Sequence, residues 1–291
     1  MKRTAKALAL EAAKAPLISS SGSLTRAMLR RMRIGFQPPR PEAKYPWRDR
    51  AAACVSIDFD VTRPGREGPN RTGTFALVEL SEKYGIPLTW AVCGRTAEED
   101  MRSYNRLLDS AVEHEIGIHT YSHIDVSKSS ARELEMEIER CVTALGLRSA
   151  PRTFVFPWNR EAHFGVLQRM GFIAYRGDER VVGGPSKANG LWNFPPVYYV
   201  DQKSVGAASL MKRYLDICVK HRAVFHLWTH PWSIVEDDGS AERLVRTALE
   251  PVFASMAQKR DEGLLHTGTM GGLATALEMH GMAAPAIAAR N

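Results

Sequence analysis

Asp58 and Asp60 stand two residues apart at the end of the apolar run AAACVSIDFD, and His119 and His123 stand four apart in HTYSH. On an extended strand, residues two apart point the same way, so both carboxylates face one side. A buried carboxylate pair is costly unless a cation neutralises it. Two imidazoles plus one carboxylate, with open positions for water, form a standard hydrolytic set for a divalent metal. The second carboxylate is then free to act as general base on the attacking water. Each piece alone is ordinary: DFD can cap the next helix, and HTYSH-type spacing arises incidentally. Together, at the ends of two strands, they make a metal the better reading.

Positioning such a set requires a particular scaffold. From residue 51 onward, strand patterns alternate with helical ones. AAACVSIDF (51–59), IPLTWAVCG (86–94), IGIHTYSH (116–123), RTFVFPWN (152–159), FIAYR (172–176), AVFHLWTHP (223–231) and LLHTGTM (264–270) read as strands. Helical stretches lie between them at 73–85, 104–115, 130–146, 161–171, 209–222 and 241–263, and another follows at 271–281. Residues 183–201 are less regular. In the stretch over 130–146, Ser129 or Ser130 can serve as N-cap, and Leu134, Ile138, Cys141, Val142 and Leu145 form the apolar stripe. The alternation predicts a parallel α/β fold of about seven strands, suited to a (β/α) barrel better than to an open sheet, although periodicity alone does not separate the two.

Chemistry in such a barrel gathers at the carboxyl ends of the strands. Besides the Asp and His pairs, those ends carry Trp158, Arg160, Arg176, Asp178, His226, His230 and Trp232. Period two puts His226, Trp228 and His230 on one face. His226 lies deeper and reads as a core histidine. His230 sits at the mouth, where it can donate a proton to a leaving group.

The chain has 291 residues, 44% of them hydrophobic, enough for a sizeable core. Its net charge of +7 is uneven: residues 1–50 hold 12 Lys/Arg against 3 Asp/Glu, and the other 241 hold 27 against 29. The basic character therefore belongs to an N-terminal arm and proline-rich linker at 1–45, with the barrel domain at 46–285. That split argues against a nucleic-acid partner. In the arm, Leu24, Met28, Leu29 and Met32 share a helical face ringed by Arg26, Arg30, Arg31 and Arg33. The face could touch an anionic membrane surface peripherally, although a helix packed on the body is the preferred reading. Glu11 and Lys14 interrupt the first apolar stretch, unlike a signal peptide, and no segment reaches the ~18 apolar residues of a membrane span. Cys54, Cys93, Cys141 and Cys218 have no CxxC spacing and read as reduced, buried thiols. The expected location is the cytoplasm, with the arm able to reach the inner face of the membrane.

These motifs resemble the polysaccharide deacetylase family, also called NodB-homology domains or carbohydrate esterase family four, over roughly residues 50–275, and the resemblance implies an incomplete or distorted (β/α) barrel of about seven parallel strands. The resemblance implies Asp58 as base and Asp60, His119 and His123 as ligands of a divalent metal, most often zinc. It also implies His230, in L-x-x-H, as the acid. HTYSH fits the family's H-[ST]-x-x-H motif, and D-x-D is the form seen in some members. The third motif, R-x-P, departs: Val155 stands where arginine is usual. Arg160 or Arg176 could supply that arginine, and Asp178 is the candidate to orient His230. The backbone N–H of Trp158 would share the oxyanion. Tyr121, Trp158 and Trp232 join the substrate-binding candidates, the two tryptophans as sugar-stacking platforms, whereas Trp90 and Trp228 read as core. The implied activity is hydrolysis of an acetyl group, above all N-acetyl, on a sugar of a polysaccharide, glycan precursor or glycolipid, so the expected partner is an acetylated carbohydrate. The rivals are hydrolysis of a cyclic amide or imide on the same fold, and a non-catalytic carbohydrate-binding module.

Overall fold

A computed structural model describes residues 34–37, 45–47, 49–60, 65–147 and 149–280. In chain order the elements are β1 (Gly35–Gln37), β2 (Ala51–Phe59), α1 (Glu67–Tyr84), β3 (Thr89–Val92), α2 (Gly94–Glu99), α3 (Met101–Leu108), β4 (Glu115–Ile118) and α4 (Ala131–Ala144). Then come β5 (Thr153–Val155), α5 (Phe164–Arg169), β6 (Ala174–Arg176), β7 (Val181–Gly183), β8 (Ser186–Ala188), β9 (Leu191–Asn193) and β10 (Tyr198–Val200). The last are α6 (Ala208–Lys220), β11 (Val224–Thr229), α7 (Glu242–Leu244), α8 (Glu250–Asp261), β12 (Leu265–Thr267) and α9 (Met270–Met279). No helix among the described residues is long and apolar enough to cross a membrane.

The expected α/β barrel is the architecture found. One sheet runs β1-β7-β11-β2-β3-β4-β5-β6-β9-β8, with β10 on β11 and β12 on β2. Its pairings are parallel except β7–β11 and β8–β9. The irregular stretch does specific work. Leu191–Asn193 pairs with β6, Pro195 and Pro196 follow, and Tyr198–Val200 pairs with β11. One extended segment thus bridges β6 and β11 and curls the sheet into a distorted barrel. β2 lies at its centre and is buried along all nine residues, which explains its near-continuous apolar sequence.

Helix ends follow local chemistry. Of the two candidate N-caps of α4, Ser130 is the one used, in a capping box with Glu133. The helix expected over 104–115 starts earlier, capped by Asp100, and stops at Leu108. The residues after it are held by Glu82, which accepts from Ser110 Oγ (3.1 Å) and Ala111 N (3.0 Å). The helix expected over 241–263 is interrupted by a wide turn at Val245–Leu249. Pro251, in the first turn after it, has no N–H for an ordinary helical bond.

Most of the basic arm, including the Leu24–Met32 face, lies outside the described residues. Of the stretch assigned to the arm, Gly35–Gln37 forms a strand paired with Val181–Gly183, and Ile34 is buried in the core. The described body therefore reaches back before residue 46, and Trp47 is buried too. All four cysteines are free and buried.

Two close contacts set the barrel's ends. At the amino ends of the strands, Glu115 accepts from Thr89 Oγ1 (3.0 Å), Thr153 Oγ1 (2.5 Å) and Gly271 N (2.8 Å). It thereby ties three elements to the start of α9. A Cβ on Gly271 would lie 2.1 Å from Glu115 Oε1, so a larger residue there would displace the Glu115 carboxylate from its bonds. At the other end, a Cβ on Gly73 would lie 1.9 Å from the Pro231 carbonyl oxygen. α1 therefore presses directly on the segment that follows His230. Replacing Glu115 by alanine orphans three donors and should lower stability by about 2–4 kcal/mol in denaturant melts. A change below about 0.5 kcal/mol, the usual effect at an unremarkable surface site, would show that this junction is not structural.

Candidate metal centre and active site

The period-two logic of the sequence holds in three dimensions. Ser56, Asp58 and Asp60 descend from β2, and His226, Trp228 and His230 from the neighbouring β11. The two strands are in register, with Ser56 opposite Trp228. Among the described residues, Asp60, His119 and His123 form a group whose donor atoms all lie within 4.8 Å of one another. His123 Nε2 is 3.3 Å and His119 Nε2 3.6 Å from Asp60 Oδ2.

The protons at this site can be placed. His119 Nδ1 is 2.8 Å from the Val155 carbonyl. A carbonyl only accepts, so Nδ1 carries the hydrogen, and a neutral ring then has its lone pair on Nε2. That Nε2 is buried without a hydrogen-bond partner among the described residues, and it faces a carboxylate oxygen at more than hydrogen-bond length. A lone pair and a carboxylate turned toward each other in a buried pocket call for a cation between them. Trp232 Nε1 donates to Asp60 Oδ1 (3.1 Å), which leaves Oδ2 turned to the imidazoles. The donor set and its supporting bonds suit a zinc-like ion.

Asp58 is held differently. Arg176 donates to both its oxygens, at 2.5 and 2.6 Å. Burial pushes the Asp58 carboxyl up, but the Arg176 charge and hydrogen bonds, with His119 and His230 nearby, bring it below its ordinary value. For Asp60 the burial penalty is likewise overcome, by the His119 and His123 imidazoles and His230, and the carboxyl lies well below the usual range. Of the two arginines that could stand in for the missing R-x-P residue, Arg176 reaches the site. It is the register partner of Val155 on the adjacent strand, so the guanidinium arrives at the same level from next door. Its guanidinium stacks over Trp228 (4.1 Å to the ring centre). It also donates to Ser56 Oγ (3.2 Å) and Asn159 Oδ1 (3.3 Å). Arg160 instead pairs with Asp125 at the rim.

His226 is the core histidine expected. Its Nδ1 donates to the Phe194 carbonyl (2.9 Å), and its Nε2 accepts from Ser56 Oγ (2.9 Å). Burial and the Arg176 charge push its pKa down to about 3.

His230 Nε2 stands 3.7 Å from both Asp58 Oδ2 and Asp60 Oδ2. Its Nδ1 meets the Tyr199 hydroxyl at 3.1 Å. Burial lowers the His230 pKa, while Asp60 and Asp58 pull it back up. Tyr199, pushed up to about 12 by burial, keeps its proton. It fills the place for which the sequence offered Asp178. Asp178 itself is exposed, and its backbone N–H donates to Glu161.

The remaining candidates divide. Trp158 lies at the mouth, 54% exposed, edge-on to His123 with ring centres 4.8 Å apart. It and Asn159 adopt left-handed backbone, φ 59° and 53°, an uncommon state for residues with a Cβ. Trp232 is half-buried, with Arg66 stacked 3.5 Å from its ring centre. Tyr121 is buried away from the mouth and donates to Glu98 (2.6 Å). Ser56, Asn159 and Tyr199 join the site without having been singled out in the sequence. Tyr199 lay in the irregular stretch, and its only sequence signal was the alternation of VYYVD.

Residues 48–160 match the family model described as polysaccharide deacetylase. Over those residues the chain is similar to that family. The match takes in Asp58, Asp60, His119, His123 and Trp158, whereas Arg176, Tyr199 and His230 lie beyond it and join the site through the fold. Solved structures agree on that fold. A protein from Mycobacterium smegmatis, assigned as a polysaccharide deacetylase, superposes with a TM-score of 0.66 at 18% identity, covering 88% of this chain and 99% of its own. One from Pseudomonas aeruginosa PAO1, assigned likewise, gives 0.62 at 13% identity over 82% and 95%. An allantoinase gives 0.60 at 13% over 84% and 94%.

The buried neutral histidines of the fold set a pH dependence. His226 titrates at about 3 and His114 at about 4 in the fold, both lowered by burial, against ~6.5 when unfolded. The unfolded chain binds more protons between those values. Stability is therefore full above pH ~6.5 and is lost as pH falls below it, by up to ~1.4 kcal/mol per pH unit per histidine. Denaturant melts between pH 7 and 5, where carboxylates contribute little, should show this slope, and His226→Gln should flatten it. An unchanged slope in that variant would contradict the assignment.

Proposed function

We propose that the chain is a metal-dependent hydrolase that removes an acetyl group, N-acetyl above all, from a sugar. The observation that carries this reading is the Asp60, His119 and His123 group, with the partnerless His119 Nε2 turned into it. Those three side chains would hold a divalent cation, zinc by the chemistry of the donors. When bound, such an ion polarises a carbonyl and lowers the pKa of water toward ~7.

The chain's own residues do the rest. Asp58, kept ionised by Arg176, takes the proton of the attacking water. The Trp158 N–H faces the developing oxyanion. His230 passes a proton from Nε2 to the departing nitrogen, its ring held at Nδ1 by Tyr199. An amine leaves poorly unprotonated, so loss of His230 should cost ~100-fold or more in rate. The exposed Trp158 ring offers a flat apolar face for a pyranose. Trp232, engaged by Asp60 and Arg66, acts on the carboxylate rather than as an open platform.

Likeness to an allantoinase keeps cyclic amides as the second reading, and it is a likeness of fold alone. An intact three-donor group favours the acetyl substrate. The test is acetate release from a panel of acetylated glycans, with a cyclic ureide alongside, with and without chelator, for wild type and Asp58→Asn. The expected result is chelator-sensitive acetate release that falls at least ~100-fold in Asp58→Asn. Activity indifferent to chelator would overturn the mechanism. Ring opening without acetate release would favour the second reading, and zinc binding with neither would indicate a binding module.

A further inference from the structure

HTYSH contains two imidazoles for the proposed ion and three residues that this reading leaves without work. The backbone there is unusual. Thr120 and His123 both adopt left-handed conformation, at φ 60° and 58°, which residues with a Cβ disfavour. Such a conformation persists only where surroundings fix it.

What fixes it is α4. Glu137 accepts from the Ser122 backbone N–H through Oε2 (2.7 Å) and from Ser122 Oγ through Oε1 (2.9 Å). Both oxygens grip the one residue between Tyr121 and His123. One helical turn on, the Arg140 guanidinium lies 3.6 Å from the centre of the Tyr121 ring, and the Tyr121 hydroxyl donates to Glu98 on α2. Gly94 makes room, since a Cβ there would meet Tyr121 Cδ2 at 2.7 Å. Tyr121 and Ser122 are thus pinned by two helices, and the next residue presents its imidazole to Asp60.

We infer that Glu137 is a positioning residue for His123: it holds the strained turn that aims the second imidazole at the metal site, without belonging to the donor group. The inference rests on the metal reading above. It assigns Tyr121 to the same clamp rather than to substrate.

The test uses the full chain freed of metal and titrated with Zn²⁺ against a chromogenic chelator. Wild type, Glu137→Ala, Glu137→Gln and Ser122→Ala are compared, with circular dichroism as the check on folding. Glu137→Ala should weaken Zn²⁺ binding 10- to 100-fold, the usual cost of losing a ligand's supporting partner. Glu137→Gln keeps an acceptor for the Ser122 N–H and a donor for its hydroxyl, and should recover most of the affinity. In the metal-free state, hydrogen exchange at the Ser122 amide should quicken in the alanine variant. A folded Glu137→Ala that binds Zn²⁺ like wild type overturns the inference. Should that variant not fold, Ser122→Ala carries the test: a several-fold loss supports the clamp, and unchanged affinity sinks it. Failure of wild type itself to bind Zn²⁺ would overturn the metal reading, an outcome visible before any variant is compared.

Discussion

Two carboxylates two residues apart, both buried in one barrel mouth, cannot both stay ionised without matched positive charge. Everything else at the site follows from how that charge is supplied. Asp58 receives it from a buried arginine in a two-pronged pair. No arginine pairs with Asp60 among the ion pairs of the described residues. Asp60 has two imidazoles, one of which turns a lone pair toward it, and an indole that occupies its other oxygen. The two aspartates are therefore unlike: one is compensated by an arginine, the other faces imidazoles and an indole. The proposed division of labour between base and ligand rests on their neighbours rather than on the D-x-D motif itself.

The scaffold makes this arrangement affordable. Arg176 lies deep in the barrel, flanked by Trp228, Ser56 and Asn159. Below it, His226 uses both ring nitrogens, so the Ser56 hydroxyl proton is committed downward and its oxygen is free to accept from Arg176. Every hydrogen in the run from the Phe194 carbonyl to Asp58 has one direction. A buried polar chain with its hydrogens so directed holds Asp58 in place, even though Arg176 Nε finds no hydrogen-bond partner among the described residues.

The fold was legible because parallel strands buried on both faces read as apolar runs and helices as periodic stripes. Asp58, Asp60, His226 and His230 were legible through period two on β2 and β11. The choice between Arg160 and Arg176 was not, because it depends on strand register: Val155 lies beside Arg176 on the neighbouring strand, and no local pattern records that pairing. Tyr199 was hidden for a similar reason. Its strand is three residues long and follows two prolines, so it looked like loop. Asp178 was a plausible partner for His230 by chemistry, but it stands past the end of β6 on an exposed turn. Tyr121 seemed to belong to the mouth because it sits between two ligands, yet the left-handed turns on either side point it into the helices behind.

The central claim is that Asp60, His119 and His123 share one ion. Anomalous diffraction at the zinc edge, from crystals of the zinc-loaded chain, addresses it directly. The account predicts a single strong peak bonded to a carboxylate oxygen of Asp60 and to Nε2 of His119, with His123 completing the protein ligands. No peak between those side chains, or zinc bound elsewhere with His119 Nε2 still unpartnered, would contradict it.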